Sequence, residues 1–189
     1  YKIGYDAKIN CIVIPHTEFY CTRRAITSDK KLRFIHNLKG VKVDLFNADC
    51  LATSEVVFIT EGAMDALSII KAGGNAIAIG GAGNVKLLIS ALSKIENKPA
   101  IAILTDDDKA GNVAAASIIK ALKLLDIFFQ RITLPDKKDA NDWLCKDSNF
   151  LKDFVKNIAD VLKLKTKFDR NSKGTIRSIA SNFKLIFKN

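Results

Sequence analysis

The sequence predicts an α/β fold: a four-stranded parallel sheet flanked by helices, with a small N-terminal β-rich lobe and a C-terminal helical extension. Three observations carry this. From Val56 onward, short runs that are apolar at almost every position alternate with stretches of helical periodicity, the pattern of a parallel sheet covered on both faces. Residues 1–55 instead crowd strand-like runs together with turn residues between them, which favours antiparallel pairing. Acidic clusters fall where three of the strands run out, and in an open α/β sheet that rim carries the chemistry. The expected divisions are 1–55, 56–145 and 146–189.

In the first lobe, Cys11-Ile12-Val13-Ile14 reads as a strand ended by Pro15, and Glu18 to Thr22 reads as a second. A third is expected around Leu32-Arg33-Phe34-Ile35, after the turn-like stretch Thr27 to Lys31. Val56 to Thr60 is the first buried strand, followed at once by Glu61-Gly62. Ala63, Met64, Leu67 and Ile70 then recur at helical spacing until Gly73-Gly74 stops the helix. Ala76 to Ile79 is the second buried strand and opens into Gly80-Gly81-Ala82-Gly83; Val85 to Ile95 carries the next helix. Pro99 precedes the third strand, Ala100 to Thr105, and Gly111 to Leu125 is helical with Ile118, Leu122 and Leu125 on one face. Ile127 to Leu134 is the fourth strand. After it, Phe150, Phe154, Val155 and Ile158 make one amphipathic stripe. Ile176, Ile179, Phe183 and Ile186 make another, with the polar run Thr166 to Thr175 separating two helices.

At 189 residues and 48% hydrophobic, the chain has material for a real core. No apolar run approaches the roughly 18 residues of a membrane span, and no basic-then-apolar leader is visible. The chain opens on Tyr1 rather than Met, which reads as a piece of something longer. Cys11, Cys21, Cys50 and Cys145 form no C-x-x-C pair, and no Cys/His cluster has zinc spacing. The reading is mostly buried, reduced thiols in a cytoplasmic protein without zinc in these residues. His16 and His36 have no evident ligand partner.

The net charge of +10 is unevenly spread. Residues 1–55 hold nine Lys/Arg against six Asp/Glu, residues 56–145 ten against ten, and residues 146–189 eleven against four. Basic flanks around an acidic rim fit a polyanionic substrate, nucleic acid first among them; a lysine-rich solubilising surface is the plain alternative.

Each acidic motif has two open readings. Glu61, followed by Gly62 with its room for close approach, can bind a metal or move a proton; it can also be a solvated residue favoured by the helix dipole. In Asp106-x-Asp108-x-x-Gly111, Asp106 and Asp108 can converge on one cation while Asp107 points elsewhere and Gly111 lets the chain bend into the helix. Alternatively Asp108 is simply the helix cap. Asp139 in Lys137-Lys138-Asp139-Ala140-Asn141-Asp142-Trp143-Leu144 adds a carboxylate, or Asn141 or Asp142 caps a short helix. Such a cluster repels itself unless a cation sits in it, and oxygen-only ligands call for Mg²⁺ or a similar hard ion such as Mn²⁺. The glycines at 80–83 do not complete G-x-G-x-x-G, because Lys86 holds the last place, so a tight turn is the expected role. No P-loop occurs.

A strand ending in Glu-Gly, then one ending in Asp-x-Asp-x-x-Gly about 45 residues later, resembles the Toprim domain of primases, type IA and II topoisomerases, OLD-family nucleases and RecR-type proteins. The longer match is to bacterial and phage-type DNA primases. Glu61-Gly-Ala-Met-Asp65 is similar to their glutamate motif, Thr105-Asp-Asp-Asp-Lys-Ala-Gly111 to their double-aspartate motif, and Lys138 to Leu144 to the motif after the fourth strand in phage primase–helicases. Ile12-Val-Ile-Pro15, Thr22-Arg-Arg24, Leu32 to Asn37 and Asp44 to Asn47 follow the order of the primase N-terminal lobe, although His36 stands where asparagine is usual and the segment 15–20 is shorter. The match covers roughly residues 9–145.

The resemblance implies Mg²⁺- or Mn²⁺-dependent synthesis of RNA primers on single-stranded DNA from ribonucleoside triphosphates, in a phage or mobile-element replication protein that works with a replicative helicase. It implies Glu61, Asp106 and Asp108 as catalytic residues and, with Asp139, as metal ligands. Arg23, Arg24, Arg33 and Lys109 are the implied contacts to nucleotide or template. Two other classes stay open: a Toprim-type metal-dependent nuclease, and a non-catalytic DNA-binding or helicase-recruiting module. A topoisomerase is disfavoured because Tyr1, Tyr5 and Tyr20 all fall in the first lobe, away from the expected rim.

Overall fold

Alternate residues of each central strand face opposite helical layers, and this alternation sets the architecture. A computed structural model describes residues 2–27, 34–35 and 40–171. Strands β5 (Val56–Thr60), β6 (Ala76–Ala78), β7 (Ala100–Ile103) and β8 (Phe129–Arg131) form a parallel sheet in the order β6-β5-β7-β8. Ahead of it, β1 (Gly4–Asp6), β2 (Cys11–Pro15), β3 (Cys21–Ala25) and β4 (Phe34–Ile35) form an antiparallel sheet in chain order. The helices are α1 (Cys50–Thr53), α2 (Ala63–Lys71), α3 (Val85–Leu92), α4 (Lys109–Leu124), α5 (Ala140–Lys146) and α6 (Ser148–Asn171). The expected α/β class and the four parallel strands are therefore present.

On one sheet face stand Val57, Ile59, Ile77, Ile79, Ile101 and Ile103, packed with α3 and α4 through Leu88, Leu92, Ile118 and Leu122. The other face carries smaller residues, Ala76, Ala78, Ala100 and Ala102, beside Val56 and Phe58. Small side chains let a layer approach closely, and α2, α5 and α6 fill that space with Ile69, Trp143, Leu151, Val155, Ile158 and Leu162. The lobes are joined where Phe46 N–H donates to Ala78 O (3.0 Å) and Ala78 N–H donates back to Phe46 O (3.3 Å), which adds a bridge to the edge of β6.

Several expectations are corrected. The second strand of the first lobe runs Cys21–Ala25, not Glu18–Thr22. The hydroxyl of Thr17 accepts from Phe19 N–H (3.3 Å) and Tyr20 N–H (3.1 Å), and this local bonding makes 16–20 a turn. β1 and α1 were not expected. β8 pairs only over Phe129–Arg131, although Ile127, Ile132 and Leu134 around it are buried. α3 stops at Leu92 rather than Ile95. The helix does not stop at Thr166: α6 runs on to Asn171, and the rest of the polar run to Thr175 lies outside the described residues. The stripe at Ile176, Ile179, Phe183 and Ile186, the turn at Ser28–Lys31, and Arg33 and His36 lie outside the described residues. Cys11 and Cys50 are buried, with burial pushing the Cys50 thiol up to about 12, whereas Cys145 is exposed. Among the described residues no helix is long and apolar enough to cross a membrane.

Because α6 supplies one wall of the core, Leu151→Ala should cost about 2–5 kcal/mol in urea unfolding. Asp153→Ala, on the exposed side of the same helix, should change stability by less than about 0.5 kcal/mol.

Candidate active site

Register places the site. Ile59 pairs with Ile103, so the ends of β5 and β7 lie side by side and Glu61 meets the Asp106–Asp108 loop. The Thr60 hydroxyl lies within hydrogen-bond reach of Gly62 O (2.9 Å) and Ile77 O (3.2 Å), and Gly80 N–H donates to Glu61 O (2.9 Å). Gly80 and Gly81 have φ of 67° and 123°, so the expected tight turn is there and needs glycine. Gly62 is the N-cap of α2 in ordinary extended backbone.

Asp108 caps α4: its Oδ1 accepts from Gly111 N–H (2.8 Å), and Asn112 Nδ2 donates to Asp108 O (2.7 Å). The capping reading of Asp108 thus holds, and it leaves Oδ2 for other work. Gly111 is required for a reason other than the expected bend. It lies inside α4, and a Cβ there would collide with the Asp106 carbonyl and stand 2.8 Å from Glu61 Oε1. The absent side chain is what lets the helix start, the aspartate loop and the glutamate touch.

Asp139 is the N-cap of α5, its Oδ1 accepting from Asp142 N–H (2.7 Å). The expected caps, Asn141 and Asp142, lie within the helix instead. The loop before Asp139 is tethered by Trp143 Nε1–H donating to Pro135 O (3.1 Å). One carboxylate was quoted from the sequence only as the end of the glutamate motif, with no role in the site: Asp65, in the first turn of α2, accepts from Asn141 N–H (3.2 Å). The signal was its place four residues after Glu61 at the start of a helix, which turns it back toward the same rim.

These carboxylates resist ionisation together. Burial, then the charges of Asp139 and Asp106, push Asp65 up to about 7 despite the Asn141 N–H. Burial and Asp106 raise Glu61, with Asp108 adding to it and a hydrogen bond from the Asp106 backbone opposing. Asp106 is raised by desolvation, Asp139 and Asp108. Glu61 Oε1 is buried without a hydrogen-bond partner among the described residues, an uncompensated acceptor of the kind a native site seldom leaves.

Two clefts open on this rim. One of about 220 Å³ is lined by Asp65, Asp106, Asp107, Asp108 and Asp139, so Asp107 faces the site as well, contrary to expectation. The other, about 490 Å³, lies between the lobes: Glu61, Asp65, Asp106 and Asp139 on one side, Arg23 and Arg24 of β3 on the other. Tyr20 and His16 line this second cleft too, which corrects the expectation that no tyrosine lies near the carboxylates. Burial raises the Tyr20 phenol, the opposite of an activated nucleophile. His16 is held structurally, its Nδ1 at 3.0 Å from Asp44 O and Nε2 at 3.1 Å from Thr22 Oγ1, with burial lowering its pKa. Lys109 is exposed on α4 and lines neither cleft.

Among the described residues no group of three or more His, Cys, Asp or Glu side chains is placed to hold a metal ion by itself. The donor chemistry nonetheless fits a hard divalent ion held openly. Mg²⁺ keeps several waters and takes one or two carboxylates plus substrate phosphates, and the orphaned Glu61 oxygen beside mutually repelling aspartates is where such a charge would be welcome.

Two outcomes follow from this geometry. Gly→Ala inside a helix ordinarily stabilises; Gly111→Ala should instead destabilise by about 1–3 kcal/mol, read by urea unfolding. For Asp65 the folded value lies above the unfolded one, so the native state binds the extra proton between about pH 4 and 7 and stability falls as pH rises through that window. In chelator-treated protein, Asp65→Asn should therefore be more stable than wild type at about pH 8, with the gap closed near pH 4.

Residues 58–144 match a family model described as Toprim-like. Three solved structures share the fold. The Aquifex aeolicus primase (zinc-binding and RNA polymerase domains) aligns with a TM-score of 0.61 at 22% identity, over 78% of this chain and 40% of that one. The primase fragment of the bacteriophage T7 primase-helicase protein aligns at 0.59 and 18%, over 79% and 64%. The RNA polymerase domain of Mycobacterium tuberculosis primase DnaG aligns at 0.58 and 18%, over 77% and 54%. The chain thus spans less than two thirds of each. No curated protein sequence matches it.

Proposed function

We propose that this chain, with its Toprim-like segment at residues 58–144, is the catalytic core of a DNA primase that joins ribonucleoside triphosphates into short RNA on a single-stranded DNA template. The observation that carries the reading is the interlobe cleft, where Arg23 and Arg24 face Glu61, Asp65, Asp106 and Asp139 across about 490 Å³. A wall of cations opposite a wall of carboxylates suits a ligand that brings both phosphates and a metal. The similar fold of three primases supports it.

Asp106 and Asp108, joined by Glu61 or Asp139, would hold Mg²⁺ or Mn²⁺, which when bound would offset the triphosphate's charge and that of the departing pyrophosphate. Arg23 and Arg24 bind phosphates of nucleotide or template from the opposite wall. Arg33 is assigned the same role by its resemblance alone, and Lys109 at most a contact outside the cleft. The 3′-hydroxyl oxygen attacks the α-phosphorus, the bond to the bridging β-oxygen breaks, and pyrophosphate leaves. In the alternative assignment Glu61 leaves the metal to the aspartates and takes the hydroxyl proton as general base. Cytoplasmic phage or mobile-element replication, alongside a replicative helicase, is the setting proposed; the T7 relative is itself a primase-helicase protein.

The test is extension of an RNA primer annealed to a DNA template, which bypasses initiation. Wild type should incorporate labelled ribonucleotides with Mg²⁺ or Mn²⁺. Asp106→Ala and Asp108→Ala should lose at least about 100-fold while still binding single-stranded DNA. Undiminished incorporation by Asp106→Ala would sink the assignment.

A further inference from the structure

Phe19 is 85% exposed at the tip of the β2–β3 hairpin. A lone exposed apolar residue is ordinary; its setting is not. The turn is tied twice over, by Thr17 Oγ1 accepting from Phe19 and Tyr20 N–H, and by His16 and Thr17 N–H donating to Tyr20 O at 2.8 and 3.1 Å. Its base is fixed to the body of the protein: the His16 ring stands edge-on to Tyr20 (4.7 Å) and Phe46 (5.5 Å), and Phe46 is bridged to β6. The ring of Phe19 is therefore held out to solvent on a rigid support, at no gain to folding. The strand leaving the turn carries Tyr20, Arg23 and Arg24 directly into the interlobe cleft. Glu18, the one charged side chain of the turn, is exposed next to Phe19 and disfavours phosphate at the tip.

We propose that Phe19 is a stacking platform for an unpaired nucleobase of single-stranded nucleic acid whose backbone runs on to Arg23 in the cleft. This rests on the primase reading and adds a contact to it. An aromatic face stacks on any base, so the contribution is sequence-tolerant. Backbone phosphates are instead met by the arginines, whose contribution is salt-dependent.

The test is fluorescence anisotropy of a labelled oligodeoxynucleotide with the full 189-residue chain across a salt series. Phe19→Ala should weaken binding roughly tenfold with the salt slope unchanged, and Arg23→Ala should flatten the slope. Phe19→Trp and Phe19→Tyr should bind as wild type, and Phe19→Leu should bind as weakly as Phe19→Ala. Wild-type affinity in Phe19→Ala or Phe19→Leu would overturn the stacking role while leaving primer extension intact. A change in oligomeric state by light scattering in Phe19→Ala would overturn it too, assigning the tip to a second copy of the chain. Failure of wild type to bind single strands at all would bring down the primase reading along with it.

Discussion

Everything at the rim depends on a missing methyl group. Parallel pairing of Ile59 with Ile103 brings two strand ends together, but α4 must then begin within contact distance of both. Only a residue without a Cβ fits at position 111, against the Asp106 carbonyl and Glu61 Oε1. The same residue's N–H is the donor that fixes Asp108. Helix start, cap and carboxylate spacing are thus one constraint rather than three. Its result is a set of acids brought closer than they would choose, with Asp65 held near neutrality and Glu61 and Asp106 raised.

The first lobe matters because of where it is anchored. The Phe46–Ala78 bridge attaches it to β6, at the edge beside β5, and the His16 ring packs on Phe46. That arrangement leaves β3 facing the carboxylates, so the arginines reach the cleft as part of a sheet rather than on a loop. A basic wall on a rigid element keeps its distance from the acidic one.

The fold was legible from Val56 onward because β5, β6 and β7 are apolar on both faces and the helices between them are amphipathic, so local pattern and tertiary burial agree. Glu61 was visible because it follows β5 at once, and Asp106 and Asp108 because they stand in the short loop after β7; Asp139, separated from β8 by the turn at Pro135–Lys137, was visible only as a later acid of the same rim. Asp65 was harder to see: its burial comes from α5 folding over α2, a contact between residues 65 and 141 that no local pattern announces. The β3 shift turned on one hydroxyl, Thr17, whose turn-forming bonds outweighed the β propensity of Phe19 and Tyr20. The start of the polar run at Thr166 is not a helix end, since α6 goes on to Asn171; polar composition by itself does not mark where a helix stops. Arg33 and Lys109 entered only through resemblance; Lys109 lines neither cleft and Arg33 lies outside the described residues.

Opposite charges on facing walls would ordinarily collapse onto one another. Here the interlobe cleft stays open at about 490 Å³, and Arg23 Nε remains without a hydrogen-bond partner among the described residues. The guanidinium belongs to a strand whose register with β2 is fixed over five pairs, Cys11↔Ala25 to Pro15↔Cys21, so the wall cannot advance without breaking the sheet. The acidic wall is equally fixed, by two helix caps and a glycine contact. Arg23 thus stays across the cleft from the carboxylates. On the proposed reading that is the functional point: a metal–triphosphate presents phosphate oxygens to the arginines and a cation to the carboxylates. It satisfies both walls at once, where phosphate alone would meet the acids and a metal alone would leave Arg23 Nε unanswered. Selectivity for the complex over either component then follows from two rigid surfaces held apart, with no need for a closing motion.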